Sequence, residues 1–242
     1  MRKIRKALNC LADPLSRRAL FLRVAPAFEH AALMRTLRIQ TVVDGGANRG
    51  QFALLARLTW PEATIISFEP LPRPAAKFRQ VLGGSTNIRL VECALGECTR
   101  EMDIHESACD DSSSLLPITS AQVQFAPGTH EITQKVVKVR RLDEVVSVAE
   151  LIGVSLLKID VQGFEGAVLR GAGELLEHLQ YVYCELSFRE LYAGQCLADE
   201  VIEWLRSAGF GLSAINNLTY DKSSLPVQAD FLFERLAVTT CA

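Results

Sequence analysis

Apolar residues fall into short runs at Thr41 to Asp44, Thr64 to Glu69, Ile88 to Glu92, Ser155 to Asp160, Tyr181 to Leu186, Gly211 to Ile215 and Asp230 to Glu234. Runs of this length, rich in β-branched and aromatic residues and bounded by turn residues, predict β-strands. Helical spacing fills most of the intervals: Gln51 to Thr59, Ala75 to Leu82, Leu142 to Leu151, Phe164 to Leu176 and Asp199 to Ala208. Strands alternating with helices predict an α/β fold built on a mostly parallel sheet. Only a polar loop, Asn216 to Leu225, separates the last two runs. A parallel pair needs a crossover of about a dozen or more residues, so these strands are expected to form an antiparallel hairpin. Thr99 to Arg141 breaks the alternation, with β-like runs at Arg100 to His105 and Lys135 to Arg140 around a loop rich in Ser, Asp, Pro and Gly. It reads as an insertion near the ligand edge, and Asp110 to Ser114 is readable equally as a loop that orders over a ligand and as a solvated turn.

The first strand ends in an acid and a glycine-rich turn, Asp44-Gly45-Gly46-Ala47-Asn48-Arg49-Gly50, and the second ends in Glu69-Pro70. Glycines let the chain turn sharply and let a ligand approach bare backbone. Glu69 follows Gly50 by about the 20 residues expected of an acid that accepts hydrogen bonds from ribose hydroxyls, which makes this the entry to a Rossmann-type sheet. The order differs from the dinucleotide fingerprint: an acid precedes the glycines, and Ala47 and Asn48 stand where a pyrophosphate needs the closest approach. Asp44 would repel a diphosphate, whereas S-adenosylmethionine carries an ammonium, a sulfonium and a ribose diol. The plainer alternative is an acid-capped strand and a tight turn in an ordinary α/β protein.

A second constellation, Leu156-Leu157-Lys158-Ile159-Asp160-Val161-Gln162-Gly163-Phe164-Glu165-Gly166, delivers Asp160 to the same sheet edge as Asp44. Glu165 sits near a helix start, where the macrodipole favours a carboxylate, so a helix-start role and a substrate role are equally open. Glu185 repeats the strand-ending acid on the next strand. Asp160 with Glu185 could hold a divalent cation, but a third firm ligand is lacking, and no metal is expected.

Composition narrows the partners. The 242 residues carry 26 Lys plus Arg against 28 Asp plus Glu, a net charge of −2 that gives no global electrostatic case for nucleic acid. A small-molecule acceptor is therefore favoured. The seven cysteines, at 10, 93, 98, 109, 184, 196 and 241, form no CxxC pair and an odd set, which suits a reducing cytoplasm. Met1 to Lys6 is basic, but Asp13, Pro14, Arg17 and Arg18 interrupt the apolar stretch that follows, so neither a signal peptide nor a membrane span is expected. The basic opening reads as an amphipathic helix packed on the domain in preference to a membrane-surface helix. The simplest division is a helical extension over residues 1–38 and one domain over 39–242.

From about Thr41 to Glu234 the chain resembles the FkbM-type methyltransferases, on VVDGGANRGQF, SFEPLP, NIRLVECALG, DDSSSLLP, RRLDEVV, LLKIDVQGFEGAVLRGA and the CEL of the fifth strand. The resemblance implies a class I methyltransferase (Rossmann-like) fold, a seven-stranded mostly parallel sheet with an antiparallel C-terminal hairpin strand. It also implies S-adenosylmethionine as donor and a hydroxyl of a sugar or polyketide-type natural product as acceptor. Carried over by position, the turn Asp44, Gly45, Gly46, Ala47, Asn48 and Gly50 would cradle the methionine part of the donor. Glu69, with Pro70 beside it, would bind the ribose, and Ala94 and Leu95 would lie by the adenine. Gln162 departs from the family, where a Glu is frequent. An alcohol must lose its proton as it attacks, and Asp160 is the first candidate for general base, followed by Glu165, Glu185 and His105. The rival readings are a nicotinamide-dependent oxidoreductase and a non-catalytic module that binds S-adenosylmethionine.

Overall fold

The computed structural model describes residues 14–237. The basic opening at Met1 to Lys6, Cys10 and Cys241 lie outside them. The chain begins with helices α1 (Pro14–Phe21) and α2 (Ala31–Met34), then runs β1 (Thr41–Gly45), α3 (Gln51–Thr59), β2 (Thr64–Phe68), α4 (Pro72–Leu82), β3 (Ile88–Val91), β4 (Ala94–Leu95) and β5 (Arg100–Ser107). It continues through α5 (Ser120–Phe125), β6 (Glu131–Arg140), β7 (Ser155–Ile159), α6 (Glu165–Gly171), β8 (Tyr181–Ser187), α7 (Ala198–Ser207), β9 (Phe210–Tyr220) and β10 (Pro226–Arg235). No helix among the described residues is long and apolar enough to cross a membrane.

The main sheet has seven strands in the order β3-β2-β1-β7-β8-β10-β9. Its first five are parallel, and β10 runs antiparallel to both β8 and β9, as the short polar loop requires. This is the seven-stranded, mostly parallel sheet with an antiparallel C-terminal hairpin strand that the resemblance implies. Side-chain alternation sends neighbouring residues of each strand to opposite faces. Val42, Ile65, Leu156, Tyr183 and Leu232 pack in one core with α1 to α4, while Val43, Ile66, Leu157, Val182 and Phe231 pack in the other with α6 and α7. Both faces are thus covered, which is why the central strands read as unbroken apolar runs. Ala19, Ala31 and Met34 of the N-terminal segment belong to the first core. Truncating Met34 to Ala costs roughly 2–5 kcal/mol.

The chain order reverses between β1 and β7, and a crevice opens at the carboxyl ends of strands at such a switch point. Asp44 there pairs in register with Ser67 of β2 and Lys158 of β7. Gly46 makes the close turn possible: its φ is +79°, and a Cβ on it would stand 1.9 Å from the Asp160 carbonyl oxygen.

Four expected elements differ. β9 runs on to Tyr220 through the first half of the loop expected over Asn216 to Leu225, leaving Asp221 to Leu225 as the turn into β10. The helix expected over Leu142 to Leu151 is two 3₁₀ turns, Leu142–Glu144 and Val148–Glu150, because Ser147 and Glu150 form a capping box that restarts the chain after Val145 and Val146. The helix expected over Phe164 to Leu176 stops at Gly171 and gives way to a 3₁₀ turn, Gly173–His178, with Gly173 at φ +51°. The insertion is more ordered than its composition implies. β5 and β6 pair antiparallel, β4 joins β6, and the three form a second sheet beside the crevice.

Candidate active site

A cavity of about 230 Å³ lies over the carboxyl ends of β1, β2 and β7. Gly46, Ala47, Asn48, Glu69, Pro70, Ala94 and Leu95 line it, as does Asp160. Asp44, Gly45 and Gly50 do not. Gly50 (φ +92°) turns the chain into α3, and a Cβ there would meet Phe78 and Leu82 of α4 at 2.9 Å. Its task is helix packing.

The glycine-rich turn keeps its donors for itself. The Gly46 and Ala47 amides donate to the Phe68 carbonyl, the Asn48 amide to Glu69 Oε2 at 2.9 Å, the Arg49 amide to Asn48 Oδ1 at 2.7 Å, and the Gly50 amide to the Ala47 carbonyl. A dinucleotide site needs these N–H groups aimed at phosphate. Here none from Gly46 to Gly50 is left for an anion. The cavity wall instead carries Glu29, Glu69, Asp110, Asp111 and Asp160, and its Lys158 is already paired. The electrostatics favour a cationic ligand.

Asp44 is fully buried behind the turn, with Lys158 Nζ 3.3 Å from its Oδ1 and the Ser67 hydroxyl donating to its Oδ2 at 3.3 Å. Burial pushes its carboxyl up, and the Lys158 ammonium opposes that shift. Lys158 reaches on to Asp160 Oδ2 at 3.5 Å and donates to the Gly46 carbonyl at 3.2 Å. Burial alone would lower its ammonium, but Asp44 and Asp160 hold it above its ordinary value. This lysine therefore ties the first acid motif to the second. Its signal was present: a lone charge inside an otherwise apolar strand is rarely buried without a partner.

Glu69 is 5% exposed, and its Oε1 accepts from the Leu71 amide at 2.8 Å. Burial raises its carboxyl to about 7 against the pull of the Leu71 and Asn48 amides. Asp110 from the insertion lines the cavity and pairs with Arg49, whose Nε donates at 3.0 Å, so this loop is ordered against the glycine-rich turn.

The four base candidates separate. Asp160 faces the cavity, its Oδ1 accepting from Gln162 Nε2 at 2.7 Å. Glu165 is turned under the loop, where its Oε1 accepts from the Val161 and Gly163 amides at 3.1 Å each; burial raises it to about 7. Its role is to hold the loop. Glu185 lies behind Gln162, which donates to it at 3.2 Å, and accepts from Gln228 at 2.7 Å; burial, then the nearby Asp160, pushes it well above the usual carboxylate range. His105 faces Glu131 at 2.6 Å on the second sheet, away from the cavity. Glu165, Glu185 and His105 are thus not on the cavity wall, for reasons of loop capping, side-chain networking and strand register respectively.

The departure at Gln162 has a structural use. Its amide nitrogen bridges Asp160 and Glu185, and its Oε1 accepts from the Tyr192 hydroxyl at 2.7 Å. The N–H groups thus stand between the two carboxylates that a cation would have to bridge. Among the described residues no cluster of three or more His, Cys, Asp or Glu suits a metal ion. Gln162 (φ +56°) and Asn48 (φ +48°) both hold left-handed backbone beside the cavity, a strain that concentrates at functional sites.

Sequence reasoning missed His30, which lines the cavity from the segment before α2. Its Nδ1 lies 3.2 Å from Asp230 Oδ2 and 2.9 Å from the Tyr183 hydroxyl. No local pattern marks a histidine whose partners lie on β8 and β10.

The chain is similar to known proteins. The family described as "Methyltransferase FkbM domain" matches residues 44–212. A 2-O-methyltransferase, NoeI, of Sinorhizobium fredii is 32% identical over 174 residues, covering 69% of this chain and 71% of that protein. The 31-O-demethyl-FK506 methyltransferase FkbM of Streptomyces tacrolimicus is 28% identical over 197 residues, covering 72% and 73%. Among solved structures, an rRNA methylase from Streptococcus thermophilus aligns with a TM-score of 0.48 at 14% identity over 88% of this chain and 97% of that one. With the family match spanning more than half of its length, the chain belongs to the FkbM methyltransferase family.

Proposed function

We propose that the protein transfers a methyl group from S-adenosylmethionine to a hydroxyl of a small acceptor, a sugar or polyketide-type natural product. The observation that carries the donor assignment is the turn from Gly46 to Gly50, whose amides are all committed internally, set in a wall of carboxylates. Such a wall fits a nucleoside that is cationic and lacks phosphate, and it disfavours the diphosphate of a nicotinamide cofactor. The residues fit the donor piece by piece. Glu69 has lone pairs left to accept from ribose hydroxyls, Pro70, Ala94 and Leu95 offer an apolar slot for adenine, and the backbone of Gly46 to Asn48 is bare toward the methionine part. Asp44 then acts through Lys158 and the turn, since it is sealed from the cavity.

When bound, the donor supplies a methyl group activated by its sulfonium. The chain supplies orientation, which is worth several orders of magnitude when acceptor oxygen and methyl carbon are held in line. Asp160, at the acceptor side, has a donor in reach of each oxygen and a remaining lone pair through which it positions the acceptor hydroxyl. The names of the relatives support a hydroxyl acceptor: one is a 2-O-methyltransferase and another acts on 31-O-demethyl-FK506.

The test is transfer of labelled methyl from S-adenosylmethionine across a panel of simple glycosides and 31-O-demethyl-FK506. The expected result is an O-methylated product in one class and equimolar S-adenosylhomocysteine. Donor binding with no transfer to any hydroxyl would favour a non-catalytic module.

A further inference from the structure

We infer that His30 is the base that takes the proton from the acceptor hydroxyl, with Asp230 holding its ring. The inference rests on the methyl-transfer reading above and adds its proton acceptor. Both residues fall outside the matched region 44–212, so the flanks of the chain complete a site that the family core leaves open.

The geometry places everything on one side of the imidazole. Asp230 Oδ2 is 3.2 Å from Nδ1, and Asn217 Nδ2 donates to the same Asp230 oxygen at 2.7 Å, fixing the carboxylate. The ring meets Tyr183 and Phe52 edge-on at 5.6 and 5.9 Å between centroids, so it cannot swing freely. Nδ1 also lies 2.9 Å from the Tyr183 hydroxyl and 3.2 Å from Asn217 Nδ2. In the tautomer whose Nδ1–H is turned to Asp230, the lone pair belongs to Nε2. Glu29, the neighbour of Nε2 at 3.6 Å, lines the cavity, as does His30 itself. A ring nitrogen facing a ligand and a carboxylate behind the other nitrogen is the arrangement of a general base with its orienting group.

Asp160, the base expected from sequence, is less suited to this step. Both its oxygens face donors already, Gln162 and Lys158, and a proton placed there would set a neutral acid beside the Lys158 ammonium. An imidazolium at His30 is instead compensated by Asp230. The ionisable groups around the ring are Asp230 from β10, Tyr183 from β8, Glu29 from its own segment and, beyond Phe52, Lys158 of β7. In the transfer step the acceptor oxygen bonds to the methyl carbon. The methyl–sulfur bond breaks with its electron pair left on sulfur, and the O–H proton passes to Nε2.

Long-range proton–nitrogen NMR of the full chain with S-adenosylhomocysteine present reads the ring directly. The chain has four histidines, and the His30 signals are those that vanish in His30→Gln. The neutral ring is expected to carry its proton on Nδ1, and to lose that preference in Asp230→Asn. A proton on Nε2 in the wild type would overturn the inference. In turnover with the acceptor that the panel identifies, His30→Gln is expected to lower kcat by about 10²–10⁴-fold without changing donor affinity. Added imidazole should restore part of the turnover of His30→Ala. A His30→Gln enzyme with near wild-type kcat would sink His30 alone. Failure of the wild type to bind S-adenosylhomocysteine would instead strike the donor reading.

Discussion

The two halves of the cavity are built by different means. The half over β1 and β2 is made of backbone: a turn that satisfies its own N–H groups, and Glu69, whose oxygens accept from amides within its own neighbourhood. The half over β7 is walled by the side chains of Asp160, Gln162 and His30, which are held from behind by Glu185, Tyr192, Gln228 and Asp230, residues that come from far apart in sequence. Backbone geometry is stiff and indifferent to most side-chain exchange, which suits the half that we propose holds the donor. A network of side chains can be rewired by single substitutions, which suits the half that must choose an acceptor. Lys158 joins the halves, touching Asp44 on one side and Asp160 on the other.

Breaking that junction should have the largest effect on stability. Lys158→Met leaves Asp44 sealed without its cation, and removing one partner of a buried pair costs about 3–5 kcal/mol. Urea unfolding should show a loss of this size, partly recovered by adding Asp44→Asn, which takes away the stranded charge. A loss no larger than that of a surface substitution would mean that the halves are independent.

The donor half is probed by Glu69→Gln. A hydrogen bond to a charged group contributes about 1.5–3 kcal/mol, so donor affinity should fall about 10–100-fold in calorimetry. Gln228→Ala, in the acceptor half, should leave that affinity unchanged. Equal losses in both variants would erase the division between the halves.

Because the Glu69 carboxyl is raised to about 7, it is largely protonated below that pH and charged above it. Affinity for S-adenosylhomocysteine should therefore climb as pH rises through about 7 and then level off, and Glu69→Gln should lack this component. Stability of the free protein runs the other way. With folded values near 7 against an unfolded 4.5, Glu69 and Glu165 make the folded state bind more protons between those limits. Their contribution favours folding below about 4.5 and is lost as pH rises toward 7, by at most about 1.4 kcal/mol per pH unit for each group. Glu165→Gln should flatten that slope in urea unfolding measured from pH 4 to 8, which brackets the unfolded and folded values.

The smallest effect is expected at Tyr192→Phe. It removes a hydroxyl whose proton is shared between Gln162 Oε1 and the Ser112 carbonyl, worth about 1 kcal/mol of stability. Its informative readout is KM for the acceptor, which should rise while donor affinity holds.

The same division explains what the sequence made legible. The central strands could be read because β1, β2, β7 and β8 are buried on both faces, and the terminal hairpin because the stretch before Pro226 is too short for a crossover. The donor turn could be read because its geometry is local: glycines, an acid and a second acid one helix later. Asp44 was misplaced on the cavity wall because strand position gives the edge of the sheet but not which side of the turn a side chain meets. The helix expected at Leu142 to Leu151 failed on a local rule that was visible, the Ser147–Glu150 capping box. The pairing of His30 with Asp230 left no trace, since it depends on the N-terminal segment packing across β8 and β9–β10; Asp230 could be read only as the start of the last strand, and His30 has no patterned neighbour. Gln162 was noticed as a departure, yet its link to Tyr192 depends on the loop after β8.

The most direct measurement is calorimetric titration of the wild-type protein with S-adenosylmethionine, S-adenosylhomocysteine and NADH. Binding of both S-adenosyl compounds with none of NADH is the expected result, because the turn has no amide left for a diphosphate and the wall is acidic. Binding of NADH in their place would contradict the account at its centre.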